Sequence, residues 1–437
     1  MKIAFVAMSG VRVQDEDLLR EGLTLPGFVE RSEVIASLPS LGLLTLAGLS
    51  PDHHEQAYFE VKQFEGIDFL SADFGLVVIS SFSAQIFEAY DLAKACRIQG
   101  MKVVMGGLHV SLNPHEAMGY CDAICIGEGE VLWEQILDDL EKGELKKVYD
   151  ASGQEYCLNK SPMPAYELLD PSFYNRLTIQ TSRGCPHSCE FCAGSILLTS
   201  KYKQKPAEKI LAELDRICEL WERPFIEFAD DNSFVNKKFW RELLPEIQKR
   251  NIRWFTEADI AVGDDEDFLD LLFKSGCKEL LIGLESPVLN GLDGIELRNN
   301  WKAKRIETYK ENLLRIQQKG IRVNACFIIG LDSHDERIFD AVYDFCDECN
   351  VYDVQVTLPT PFPGTALYKR LKKSGRLLED QAWDKCTLFD LNFEPIHFTY
   401  DELRDGFRGL VKRLYEKGFT NKRRDHFNRQ WKLARTV

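Results

Sequence analysis

Short apolar runs alternate along the chain with longer stretches of helical period, the pattern of βα units built around a parallel sheet. Over residues 1–142 the strand-like runs are Lys2–Ala7, Gln56–Val61, Gly75–Ser80, Lys102–Met105 and Asp122–Ile126, with helical stretches at Ser83–Arg97 and Val131–Glu141. That alternation predicts a doubly wound, Rossmann-like α/β domain. Residues 143–175 lose periodicity and carry Gly143, Gly153, Pro162, Pro164 and Pro171, as a linker does. Alternation resumes over 176–375, with strands expected at Leu177–Thr181, Phe225–Ala229, Arg253–Ala258, Glu279–Gly283, Arg322–Ile329 and Asp353–Leu358. The helical stretch Pro206–Trp221 opens on a proline, which suits a first helical position because its missing N–H has no partner there anyway. These units predict a partial (β/α)6 barrel whose active site lies at the carboxyl ends of its strands. Residues 376–437 read as a helical C-terminal extension.

A chain of 437 residues, 45% hydrophobic, suffices for two cores. Its net charge of −15 argues against general nucleic-acid binding, which needs clustered Lys and Arg against phosphate. The 13 cysteines mostly sit singly in apolar segments, as Cys125, Cys277 and Cys326 do, so reduced thiols are expected rather than a disulfide scaffold. The run Ile3–Met8 is too short for a signal-peptide core, and no apolar stretch is long enough to span a bilayer. The expectation is a cytoplasmic protein without a transmembrane segment.

One loop changes this picture. Directly after the first strand of the second array comes Thr181-Ser182-Arg183-Gly184-Cys185-Pro186-His187-Ser188-Cys189-Glu190-Phe191-Cys192. Three soft thiolates at one strand end favour zinc or an iron–sulfur cluster, and a four-iron cubane held by three leaves one iron open to an outside ligand. Zinc with His187 as fourth ligand is the plainer alternative, although closed zinc sites usually add a second, distant ligand pair.

The C-x3-C-x2-C spacing, with an aromatic residue before the last cysteine, resembles the radical S-adenosylmethionine (radical SAM) superfamily. The resemblance implies that Cys185, Cys189 and Cys192 hold a [4Fe-4S] cluster and that the open iron binds SAM. One electron, from a donor such as flavodoxin or ferredoxin, then yields a 5′-deoxyadenosyl radical that takes hydrogen from substrate. By the same resemblance Phe191, Asp230, Asp231, Glu257, Glu285 and Ser286 are expected SAM contacts, although Asp230-Asp231-Asn232 stands where the family has Gly-Gly-Glu. The plain reading of each carboxylate is a solvated loop residue or a helix cap.

The first domain carries Pro39-Ser40-Leu41-Gly42, Gly106-Gly107-Leu108-His109 and Gly127-Glu128-Gly129-Glu130, which resemble the cobalamin-binding domain of one radical SAM branch. Leu41, Gly42, Ser80, Ser81, Gly106, Gly107, His109, Gly127 and Glu128 are the expected cobalamin contacts. Glycines at strand ends let backbone approach a large ligand, or serve as ordinary turns. The Asp-x-His-x-x-Gly motif that ligates cobalt elsewhere is absent after the first strand, where Met8-Ser9-Gly10-Val11-Arg12-Val13 stands.

Cys346-x-x-Cys349 falls in a helical stretch and reads as structural. The basic and aromatic residues of 403–437, among them Lys422, Arg423, Arg424, Arg429, Lys432, Phe419, Phe427 and Trp431, read as a helix packed on the barrel or as a surface for an anionic partner or a membrane surface. Asn290–Lys304 reads as a lid or a long polar loop. The leading expectation is a cobalamin-dependent radical SAM C-methyltransferase acting on an organic substrate, whether small molecule, lipid or peptide. The alternatives are a radical SAM enzyme that cyclises, rearranges or oxidises, and a non-catalytic zinc- or corrinoid-binding protein.

Overall fold

The computed structural model of the chain describes residues 1–21, 38–65, 73–194 and 201–434. They fall into two compact units, one drawn from 1–12, 36–183 and 193–224 and the other from 13–35, 184–192 and 225–437.

The first unit holds strands β1 (Lys2–Met8), β2 (Glu55–Val61), β3 (Leu76–Ser81), β4 (Lys102–Gly106), β5 (Ala123–Ile126) and β6 (Val148–Asp150). They form one 6-stranded sheet in the order β2-β1-β3-β4-β5-β6, parallel throughout. The chain steps outward in opposite directions from β1, so β1 and β3 flank the switch point where such sheets open a crevice at their carboxyl ends. The strands β1 and β3 are apolar on both faces, as a sheet covered by helices on both sides requires. Phe5 meets Trp133 with ring centroids 5.8 Å apart, and the indole Nε1 donates to Ser50 Oγ at 2.9 Å. Burial of such a side chain contributes about 1.5–3 kcal/mol. β6 lies within the stretch read as a linker; three residues with one buried side chain give too little alternation to announce a strand.

Farther along this unit come β7 (Leu177–Ile179) and the antiparallel pair β8 (Ser182–Arg183) and β9 (Lys203–Gln204). The helix Ala207–Leu220 buries Ile210, Leu214 and Ile217, and Pro206 stands one residue before it, at the cap.

In the second unit β10 (Phe225–Phe228), β11 (Arg253–Ala258), β12 (Cys277–Glu285), β13 (Arg322–Ile328) and β14 (Asp353–Thr357) run parallel in chain order. All the strands expected of the second array thus form. An aromatic cluster lies behind them: Phe228 packs edge-on against Trp240 and Trp254 at 5.4 and 5.1 Å, and both indoles donate to backbone carbonyls, of Ser233 and Ser275. The helices Tyr400–Tyr415 and Lys417–Ala434 close the unit. Phe419 stacks on Tyr343, Phe427 meets Tyr352, Lys422 pairs with Asp347, and Arg424 with Asp353. These basic and aromatic side chains are therefore spent within the fold; the side chain of Lys432 lies outside the described residues. Cys346 and Cys349 sit in the helix Arg337–Cys349, with Cys346 wholly buried. No helix among the described residues is long and apolar enough to cross a membrane.

Candidate active site

Gly184 enters the cysteine loop at φ +87°, a left-handed state that glycine adopts without strain, and its N–H donates to Asp231 Oδ2 at 2.9 Å. The loop then meets the polar segment 290–304. Cys189 and Glu296 form an antiparallel bridge, with Glu190 N–H donating to Ile295 O and Leu297 N–H to Ser188 O, each at 2.9 Å. Segment 290–304 is therefore a wall of the cysteine loop.

Glu296, 2% exposed, fastens that wall. It accepts backbone N–H groups of Ser188, Arg298, Asn299 and Trp301 at 3.1, 3.1, 2.8 and 3.3 Å. Burial works against its charge, but these donors prevail and hold the carboxyl at about 2. Lys302 reaches back from the same segment, its Nζ 2.7 Å from Glu285 Oε1 and 2.8 Å from Gly283 O. Its burial opposes the charge, while Glu285 and Cys189 keep it protonated. Glu285 itself sits at φ +63°, a costly state for a side chain with a Cβ, and it ends β12.

The three thiols share one electrostatic neighbourhood. Burial pushes Cys189 up to about 12; Lys302 counters this, and Glu285, Cys192 and Cys185 reinforce it. Burial also raises Cys185, against hydrogen bonds from the His187 backbone and the Asn232 side chain. Metal ligation needs thiolates, whose negative charge this environment disfavours unless a bound cation offsets it.

Beside them the strand ends gather carboxylates. Glu257, near the end of β11, keeps part of its surface open to solvent while protein packs around it. That burial pushes its carboxyl up to about 8, and Glu227, Asp231, Glu285 and Asp230 add repulsion. Such a ring favours a cationic ligand, and SAM carries both a sulfonium and an ammonium. Asp259, held low despite burial by His187, Asn232 and the Ala261 N–H, anchors Asn232 Nδ2 at 2.8 Å.

Three other expected SAM contacts have these neighbours in the ligand-free chain. Asp230 is buried and accepts from Ser233 Oγ at 3.0 Å. Ser286 is wholly buried, with His334 Nε2 3.1 Å from its Oγ. Phe191 is half-buried in a cleft with Leu331, Pro359 and Leu367. Asp259, Glu227, Glu296, Lys302 and His334 are not singled out from the sequence, and Asn232 enters only as part of the Asp230-Asp231-Asn232 motif. Asn232, Asp259 and Glu227 lie within a few residues of a strand's carboxyl end, which is a usable signal; the others have none.

The first unit carries a cavity of about 210 Å³ at the carboxyl edge of its sheet. Gly42, Ser80, Gly106, Gly107, Gly127 and Glu128 line it, together with an apolar wall that includes Leu43, Val78, Val104, Trp133 and Ile136. Gly107 and Gly127 have φ of +96° and +87°, and at Gly42 an added Cβ meets nothing within 4 Å. Leu41, Ser81 and His109 are not among the lining residues. His109 is buried, with Nδ1 3.0 Å from Ser83 Oγ and Nε2 3.5 Å from Glu116. Among the described residues no histidine lines the cavity. Arg183 does: its guanidinium bridges Glu128 at 2.6 Å and Glu130 at 2.5 Å, and Lys203 also pairs with Glu128 at 2.6 Å.

A parallel α/β array with a three-cysteine loop at its strand ends defines the radical SAM class, and residues 179–346 match the Radical SAM superfamily. That segment is a Radical SAM domain, the family's cofactors are a [4Fe-4S] cluster and SAM, and the chain is an enzyme. Residues 365–437 match a domain of unknown function, DUF4070. Bacteriochlorophyllide d C-12(1)-methyltransferase of Chlorobaculum tepidum is 26% identical over 393 residues, covering 89% of this chain and 84% of that protein. Hopanoid C-2 methylase of Rhodopseudomonas palustris is 26% identical over 406 residues, 90% of this chain and 74% of that one. Among solved structures, the radical SAM methyltransferase TsrM from Kitasatospora setae, with cobalamin and a [4Fe-4S] cluster bound, superposes with TM-score 0.68 at 14% identity, covering 95% of this chain and 88% of that one; this likeness concerns the fold.

Proposed function

We propose that the chain is a cobalamin-dependent radical SAM C-methyltransferase, with residues 1–142 as the corrinoid-binding part, 143–175 as linker, 176–375 as the radical part and 376–437 as extension. The observation that carries the reading is the convergence of Cys185, Cys189 and Cys192 on a carboxylate-lined strand edge, in a chain whose other sheet opens a glycine-edged apolar cavity. The near full-length relatives that transfer methyl groups support it.

The residues present fit both groups. Cys185, Cys189 and Cys192 would hold the cluster, and Glu257 and Asp231 would face the cationic parts of SAM. Gly42, Ser80, Gly106, Gly107, Gly127 and Glu128 would hold the corrinoid. When bound, the cluster with SAM supplies a hydrogen-abstracting radical after one-electron reduction by a small donor protein, and the corrinoid supplies the methyl group. Glu296 and Lys302 fix the cysteine loop and Glu285 in place. His334 and the Val288 backbone fix Ser286 and hence the turn after β12. The apolar cavity wall excludes water from whatever it encloses. Because no cavity-lining histidine exists among the described residues, that wall offers cobalt no imidazole.

Anaerobic reconstitution with iron, sulfide and hydroxocobalamin tests the reading. The expected result is four irons and one corrinoid per chain, with both 5′-deoxyadenosine and S-adenosylhomocysteine formed from SAM under reduction. A protein that loads its cluster but retains no corrinoid would refute the methyltransferase assignment, and one that loads zinc in place of iron would refute the radical chemistry as well.

A further inference from the structure

We infer that His53, His54 and Glu141 form a binding site for one divalent transition-metal ion of the zinc type. It lies at the amino-terminal edge of the first unit's sheet, away from the cavity at the carboxyl edge. His53 and His54 close the turn that leads into β2, and Glu141 ends the helix Trp133–Glu141.

The ligating atoms of the three side chains all lie within 4.8 Å of one another. One carboxylate oxygen, Glu141 Oε1, stands 3.2 Å from His53 Nε2 and 3.5 Å from His54 Nε2. A tetrahedral zinc ion with nitrogen and oxygen bonds of about 2.0–2.2 Å sets its ligands roughly 3.3–3.5 Å apart, a spacing close to that of the carboxylate oxygen from each imidazole nitrogen. A plain ion pair would engage one ring; here a single oxygen serves two imidazoles, whose rings are 4.1 Å apart and tilted by 50°.

The donor set is selective. Two imidazole nitrogens and one carboxylate oxygen suit zinc, nickel or copper and not the oxygen-loving magnesium or calcium. His54 is buried, with the His53 ring beside it. His53 and Glu141 stay 63% and 47% exposed, leaving the fourth position to water or to an outside ligand. A bound ion would tie two segments 88 residues apart and so stabilise the first unit.

The experiment uses the full chain with its iron–sulfur cluster in place, so that the loop thiols are occupied. Zinc is titrated by competition with a chromophoric chelator, and cobalt(II) is added as a spectroscopic probe. One tight zinc per chain is expected, weakened at least about tenfold in both His53→Gln and Glu141→Gln, with iron content unchanged and a tetrahedral cobalt spectrum lacking a thiolate charge-transfer band. No binding, equal binding by the wild type and both variants, or a thiolate band would each overturn the assignment.

Discussion

Glu190 and Arg370 meet in a two-pronged ion pair, with Arg370 Nε 2.9 Å from Glu190 Oε2 and Nη2 2.8 Å from Oε1. Glu190 lies between Cys189 and Cys192, and Arg370 lies in the helix Ala366–Lys373, in the segment that matches DUF4070. Arg370 also pairs with Asp332, which Arg376 grips in turn at 2.8 Å. The cysteine loop is thus braced from 180 residues away. Arg370→Gln leaves Glu190 with little solvent and no cation, and should cost about 1–3 kcal/mol of local stability, reduced by the partial exposure of the pair. Iron retention after reconstitution should fall, and Glu190→Gln in the same chain should restore part of it. Unchanged iron content in Arg370→Gln would show that the brace is idle.

Glu296 makes a second, pH-dependent brace. Its carboxyl is held at about 2 against an ordinary 4.5, so its stabilisation is complete above about 4.5 and is lost as pH falls from there through about 2. Glu296→Gln keeps the shape but donates an N–H where four backbone donors converge. The variant should lose about 1–3 kcal/mol at neutral pH in denaturant unfolding of the cluster-free chain. It should also lack the wild type's decline between those pH values.

Glu257 titrates in the other direction. Raised to about 8 by burial and by Glu227, it is largely protonated at neutral pH in the ligand-free chain. Its contribution to folding is present at low pH, below about 4.5, and fades as pH rises through about 8. A cation bound beside it draws the proton off, so SAM binding at neutral pH should release protons and tighten as pH climbs toward 8. Calorimetry in buffers of differing ionisation enthalpy measures the release, and Glu257→Gln should abolish it.

Gly42 offers a clean test of the cavity. It lies in the helix Leu41–Leu49, where replacing glycine with almost any other residue favours the helix by up to about 1 kcal/mol. A Cβ there meets nothing, and the residue lines the cavity. Gly42→Phe should fold at least as well as the wild type in thermal unfolding while retaining several-fold less corrinoid after gel filtration. Full retention would place the ligand elsewhere.

The sequence by itself determined the order of strands and helices, because apolar period reports which residues a sheet or helix buries. It also determined the cysteine loop and the glycine edge, because chemistry compressed into a few residues needs no folding to be read. Only the tertiary structure decided that Glu296, Lys302 and Arg370 hold that loop, that Ser286 rests against His334, that Arg183 sits between Glu128 and Glu130, and that His109 turns into the helices away from the cavity. Each of these joins residues that are distant in the chain or depends on which way a side chain leaves its helix. Period and spacing carry no record of which segments meet across a sheet edge, so a buried carboxylate with four donors and an idle surface glutamate look alike until the chain has folded.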